Sequence, residues 1–305
     1  MSAAASTFRR RVRWAIEGGA AHAFVSLARL VPEGAVPLVG AVIGNVFGGL
    51  DVRHRRIARE NVRGALGHVL GDAAQRRIVR RSFAHFGRVG LEVSRFGRMT
   101  SDSCHHIAHH EGLEHLQAAH ARGRGVLIVS AHFGNWELHA LLQGWVGYPL
   151  GLVVRPMDNP AIERLISRLR GQSGNTTLSK RRSLGTVQSA LRRGEIVGVL
   201  VDQRPRHGGI LVPFFGRPAL TSSAPALLAL RTGAAMLPAF SVPRAEGGYR
   251  LVYEPEIRVE RSGNIEADAL RLTAAYTRSV ERWVREYPEL WLWMHNRWKS
   301  AEPGR

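Results

Sequence analysis

The sequence predicts an α/β domain in which a mixed sheet is flanked by helices, with a helical N-terminal extension ahead of it. Three observations predict it. From about residue 106 onward, short apolar runs of strand length alternate with amphipathic stretches of helix length, the signature of layered α/β folds. One of those runs, Val126 to Val129, is apolar without a break, as a strand covered on both faces must be. Residues 1–70 carry helical patterning, apolar segments and clustered arginines without strand signals, which separates a membrane-associating region (1–70) from the α/β domain (71–305).

Within the extension, Phe8 to Arg29 opens with Arg9, Arg10, Arg11 and Arg13 and runs on into apolar residues. That order imitates a signal peptide, but Glu17 and His22 interrupt the run and no convincing cleavage site follows, so secretion is not expected. Val36 to Leu50 is apolar, yet shorter than the roughly 20 residues a spanning helix needs, and it carries Pro37 and several glycines. Peripheral or shallow insertion is the expectation. From Val52 to Leu66, Arg53, Arg55, Arg56, Arg59 and Arg63 flank Ile57, Val62, Ala65 and Leu66, giving a helix with a basic side and an apolar side of the kind that lies on anionic bilayers. Each arginine near such a leaflet contributes on the order of 1 kcal/mol.

In the domain itself a long helix is expected from Asp72 to Arg95. Strands are expected near His106 to His110, Val126 to Ser130, Leu150 to Arg155, Ile196 to Asp202, Ala235 to Val242 and Tyr249 to Tyr253. Helices fall between them, near Leu113 to Arg122, Asn135 to Gly147, Pro160 to Gly171, Ser183 to Arg193 and Ala224 to Thr232, with a last one from Ile265 to Tyr287.

With 305 residues, 45% of them hydrophobic, the chain can bury a full core. Its single cysteine, Cys104, excludes an internal disulfide framework and reads as a small core residue rather than a nucleophile, in keeping with cytosolic exposure. The net charge of +19 is almost entirely arginine, since Lys180 and Lys299 are the only lysines, and such a surface calls for an anionic partner. Nucleic acid is not expected, because the sequence contains no recognisable reading module. Nor is a metal: His105, His106, His109, His110 and His115 are close together, but adjacent histidines on a strand point to opposite faces.

The strand Val126 to Ser130 ends in Ala131-His132-Phe133-Gly134-Asn135-Trp136-Glu137, which sets His132 at the mouth of a strand-to-helix junction. There a side chain reaches solvent, and amides at the helix start can face developing negative charge. Residues five apart on a regular helix lie about 140° apart, so His132 and Glu137 can meet only if His132 precedes the helix. A neutral imidazole suits proton abstraction near pH 7. On this reading His132 is a general base and Glu137 holds its other nitrogen.

The stretch Ser130 to Glu137 resembles the acyltransferase box of the bacterial lipid A biosynthesis late (lauroyl/myristoyl) acyltransferases, within the lysophospholipid and glycerolipid acyltransferase superfamily. The likeness continues in order through Glu111 to Leu116, Arg155 to Pro160, Val201 to Gln203, Pro213 to Pro218, Leu228 to Ala234 and Pro288 to Lys299, covering about residues 50 to 300. It implies a glycerolipid-acyltransferase-like fold and an O-acyltransferase that needs no cofactor and forms no acyl-enzyme. The fatty acyl chain would come from an acyl carrier protein or CoA thioester and go to a hydroxyl of a lipid A precursor or related glycolipid. The implied location is the cytoplasmic face of the bacterial inner membrane. Family analogy pairs Arg168 with Asp202 beside the active site, and adds Arg155, Gln203, Phe215 and Gly216 as substrate-binding or supporting residues. Arginine's planar fork suits phosphate, and Phe214-Phe215-Gly216 would line an acyl or acceptor pocket. Two alternatives stay open at this point: a noncatalytic lipid-binding protein on the same fold, and a hydrolase using water in place of the alcohol.

Overall fold

A computed structural model describes residues 3–179, 183–206, 208–259 and 261–299. Its organising element is β2 (Val126–Ser130), whose side chains from Val126 to Val129 are all buried. Parallel neighbours lie on both sides, β5 (Ile196–Leu200) on one and β8 (Ala235–Pro243) on the other. With β1 (Ala108–Glu111), β3 (Leu150–Val154), β4 (Thr176–Ser179) and β9 (Tyr249–Tyr253), they form a seven-stranded sheet in the order β1-β9-β8-β2-β5-β3-β4. All pairings are parallel except β8 with β9, so the sheet is mixed, as expected.

Because side chains alternate along a strand, β2 feeds two cores. Leu127 and Val129 pack with α9 (Ser183–Arg192), α10 (Ala224–Thr232) and α11 (Ile265–Glu286), while Val126 and Ile128 pack with α6 (Leu113–Ala121) and α7 (Trp136–Trp145). Two elements were not foreseen. One is β4, a short polar edge strand; the other is the hairpin of β6 (Ile210–Phe214) and β7 (Arg217–Thr221), whose two-residue turn puts Phe215 and Gly216 at φ of 55° and 68°. The strand expected from His106 starts later, since Cys104–Ile107 is a helical turn (α5) leading into β1.

The described part of the extension is built from helices joined by short turns: α1 (Ala3–Ala28), α2 (Val36–Leu50) and α3 (Val52–Leu66), followed by α4 (Asp72–Ser94). In α2, Gly40, Gly44 and Gly48 recur every fourth residue and form one buried stripe against α4. The approach is so close that a Cβ on Gly44 would lie 2.0 Å from the carbonyl oxygen of Phe83, and one on Gly87 would lie 2.2 Å from that of Gly40. Most of the other side chains of α2 point outward, with Leu38, Val42, Val46, Phe47 and Leu50 exposed. The fate of α3 differs from expectation. Ala58, Val62, Ala65 and Leu66 lie inside the main core, and Asn61 donates to the carbonyls of Trp293 and His295, so the apolar face is occupied by the protein itself and only the arginine side is open.

Candidate active site

At the carboxyl end of β2 the chain turns sharply before entering α7. Gly134 makes the turn possible: its φ is +57°, and a Cβ there would lie 1.8 Å from the carbonyl oxygen of Ser241. The turn is pinned from several directions. Gly134 N–H donates to the Leu290 carbonyl, Asn135 N–H to the Ser241 hydroxyl, and Leu292 N–H to the carbonyl of His132. Asn135 then caps α7 by accepting from Leu138 N–H at 3.0 Å. His132 thus sits just ahead of the helix, the position the sequence placed it in.

Asp202 follows β5, the parallel neighbour of β2, and open α/β sheets gather functional side chains at this end. Its carboxylate faces His132 squarely. Oδ1 accepts from the imidazole Nδ1 at 2.9 Å, and Oδ2 accepts from the His132 backbone N–H at 3.0 Å and from the Trp291 indole N–H at 2.8 Å. Asp202 is 5% exposed, so burial alone would push its carboxyl up; the facing His132 and the three hydrogen bonds outweigh that and hold it below the ordinary value. With Nδ1–H given to Asp202, the imidazole is fixed in one tautomer. Its Nε2 is left toward the open side, where the exposed Gln203 carries its amide nitrogen at 3.4 Å. The ring stands edge-on to Trp136, with 5.1 Å between centroids.

This corrects two expectations. The carboxylate that orients His132 is Asp202, not Glu137. Glu137 lies in the first turn of α7 and turns to α8 (Pro160–Arg170), where Arg170 grips it with both Nε and a terminal nitrogen of its guanidinium. The pairing of Arg168 with Asp202 is not formed, because His132 and Trp291 take both carboxylate oxygens while Arg168 is exposed on α8. Arg155 forms an exposed pair with Asp158 just past β3. Phe215 and Gly216 form the β-hairpin turn. Phe215 is buried among Trp293, Trp298 and the Arg285 guanidinium, with its N–H donated to Glu281, so it anchors the hairpin instead of lining an open pocket.

Around this centre lie residues for which sequence patterning predicts no role. His295 accepts from Arg204 N–H at 3.1 Å, and burial lowers its pKa, aided by nearby His132, Arg297 and Arg204 and opposed by Asp202. Arg297 is buried over the Phe214 ring and donates to the Leu220 carbonyl and the Thr221 hydroxyl; burial lowers its pKa to about 10. Trp291 and His295 fall in recognised text, but only the adjacency of β2 and β5 shows that the carboxylate Trp291 serves is the one facing His132. Among the described residues no group of His, Cys, Asp and Glu could hold a metal ion.

The profile described as bacterial lipid A biosynthesis acyltransferase matches residues 5–300. The lipid A biosynthesis palmitoleoyltransferase of Escherichia coli (strain K12) is 32% identical over 197 residues, which is 64% of this chain and 62% of that protein, so the chain matches less than two thirds of the length of that relative. A phosphatidylinositol mannoside acyltransferase of Mycolicibacterium smegmatis is 26% identical over 291 residues, covering 89% of this chain and 88% of the relative. Among solved structures, the 1-acyl-sn-glycerophosphate (LPA) acyltransferase PlsC of Thermotoga maritima superposes with a TM-score of 0.37 at 14% identity, over 81% of this chain and 96% of that one.

Proposed function

The chain belongs to the bacterial lipid A biosynthesis acyltransferase family, and we propose that it moves a fatty acyl chain from a thioester donor to a hydroxyl of a lipid A precursor or related glycolipid, with His132 as general base. The observation that carries the assignment is the imidazole held at Nδ1 by a buried carboxylate while Nε2 is left toward solvent. In this scheme Nε2 removes the acceptor hydroxyl proton as its oxygen attacks the thioester carbonyl. Asp202 stays ionised and stabilises the imidazolium. Collapse of the tetrahedral intermediate breaks the carbon–sulfur bond, and the proton on Nε2 passes to the departing thiolate.

The donor, an acyl carrier protein or CoA thioester, is anionic and fits the strongly basic surface. The segment Glu33–Leu50 is long and apolar enough to cross a bilayer and mostly unburied, which supports attachment to a membrane, and the net charge of +19 favours an anionic leaflet such as the cytoplasmic face of the inner membrane. The test is transfer of a labelled acyl chain from either thioester to lipid acceptors by purified protein, wild type against His132→Ala. A fall of about 10² or more is expected; equal rates would remove His132 from the chemistry. Free fatty acid formed at the same rate with and without acceptor would make the protein a hydrolase.

A further inference from the structure

One face of α4 carries three polar side chains that all end at the candidate active site. Ser82 donates to the Trp291 carbonyl at 2.8 Å, and Trp291 in turn donates to Asp202. His85, buried and with its pKa lowered to about 4 by burial, is therefore neutral at pH 7 and donates Nε2–H to the Gly134 carbonyl at 3.0 Å. Glu92 accepts from Asn135 Nδ2 at 2.7 Å, and also from Arg88 Nε and the Tyr249 hydroxyl. Gly134 and Asn135 are the residues that follow His132 and Phe133 in the turn, so α4 holds both the turn that carries the imidazole and the tryptophan that braces its carboxylate.

A neighbouring side of the same helix receives α2. Gly87, Phe83 and the backbone at Arg88 lie against Gly40, Gly44 and Gly48 with no space for a side chain between them. Phe83 and Arg88 alternate along α4 with Ser82, His85 and Glu92, so a shift of one face displaces the other. Close-packed helices have few intermediate arrangements, and a small displacement at such a seam is passed on rather than absorbed.

Resting on the proposed transfer reaction, we propose that Ser82, His85 and Glu92 are positioning residues, and that the seating of the apolar helix α2 on α4 sets the geometry of the His132–Asp202 pair. The enzyme is then competent only with α2 seated, and a bilayer that receives the outer face of α2 holds it in that state. No group on α4 touches a reacting atom; each acts through the turn or through Trp291.

The test uses the full chain on vesicles containing anionic phospholipid. Glu92→Gln loses the charge that binds Arg88 and Asn135, Gly44→Leu wedges α2 away from α4, and Gly90→Ala alters α4 where a Cβ meets nothing within 4 Å. Vesicle co-sedimentation, kcat and KM for transfer, and the NMR titration of His132 in isotope-labelled protein are measured for each. Expected for Glu92→Gln and Gly44→Leu are wild-type sedimentation, a roughly tenfold lower kcat at unchanged KM and a displaced His132 titration, with Gly90→Ala like wild type in all three. Unchanged kcat and an unchanged His132 titration in folded Glu92→Gln would overturn the proposal even if Gly44→Leu fails to fold. A kcat loss in Gly44→Leu that follows vesicle release alone would overturn the part played by the seam. Should wild type transfer no acyl chain at all, the reaction assignment fails, while the His132 titration still decides whether α4 positions the imidazole.

Discussion

Trp291 gives its indole N–H to Asp202 Oδ2 over 2.8 Å, so the carboxylate that orients His132 is itself braced by a fully buried tryptophan. Removing that donor leaves a buried carboxylate oxygen short of a partner, at a cost of about 1–3 kcal/mol. Trp291→Phe should therefore lower the melting temperature and raise the Asp202 pKa. The contribution of a carboxyl held below its unfolded value is present at higher pH and lost as pH falls through the folded value, so the acid limb of the rate profile should move upward in pH. A limb left in place would mean that the indole does not tune Asp202.

Asp202→Asn keeps the shape but offers an amide where an acceptor is required, and so releases the Nδ1–H tautomer. By analogy with other His–carboxylate pairs the expected loss in kcat is about 10² to 10⁴. Steady-state transfer rates decide it, and a loss under about threefold would show that orientation of His132 comes from elsewhere.

Glu137 and Arg170 predict a pattern in stability. Either Glu137→Gln or Arg170→Met alone strands a largely buried charge and should cost about 2 kcal/mol, whereas the two together should cost less than the sum. Urea unfolding of the two single variants and the double variant measures the coupling; strict additivity would deny the pair any direct interaction.

His85 and His139 are buried with pKa values lowered to about 4 and about 3, burial being the first cause of each. A histidine depressed in the folded state stabilises fully above its unfolded pKa of about 6.5, and that contribution is lost as pH falls toward the folded value. Stability should drop steadily between pH 6.5 and 4, by about 3 kcal/mol for His85 alone. Chemical denaturation across that range should show a shallower slope in His85→Gln than in wild type.

Replacing Leu38, Val46 and Leu50 by serine strips exposed apolar surface from α2 without touching its glycine stripe. Binding to anionic vesicles should weaken by at least tenfold, each side chain contributing on the order of 1 kcal/mol or more. Thermal stability in solution should change little, and vesicle binding as tight as wild type would place the contact surface elsewhere.

The strand-to-helix junction at His132 was legible because a continuous apolar run followed by Gly-Asn fixes both the strand end and the cap. The alternation of elements gave the layers and a mixed sheet for the same reason, periodicity being local. What periodicity does not carry is which strands are neighbours. Placing β5 beside β2 turns Asp202 into the partner of His132, and this is why the sequence assigned that task to Glu137, the nearest carboxylate along the chain. The arginine of α8 that grips a carboxylate is likewise Arg170, on the opposite side of the helix from Arg168. The hairpin of β6 and β7 was hidden because its turn is Phe-Gly, and only the structure shows a phenylalanine in the left-handed region, held by burial and by Glu281. In α3, an apolar side read as bilayer-facing is consumed by the core, since amphipathicity alone does not say what covers the greasy side.

Both outermost strands of the main sheet, β1 and β4, are four residues long and built from Ala-His-His-Glu and Thr-Thr-Leu-Ser. Rims so brief and polar offer a poor template for recruiting a strand from another molecule. Copies of the chain brought to high local density can therefore crowd together without their sheets joining into aggregates.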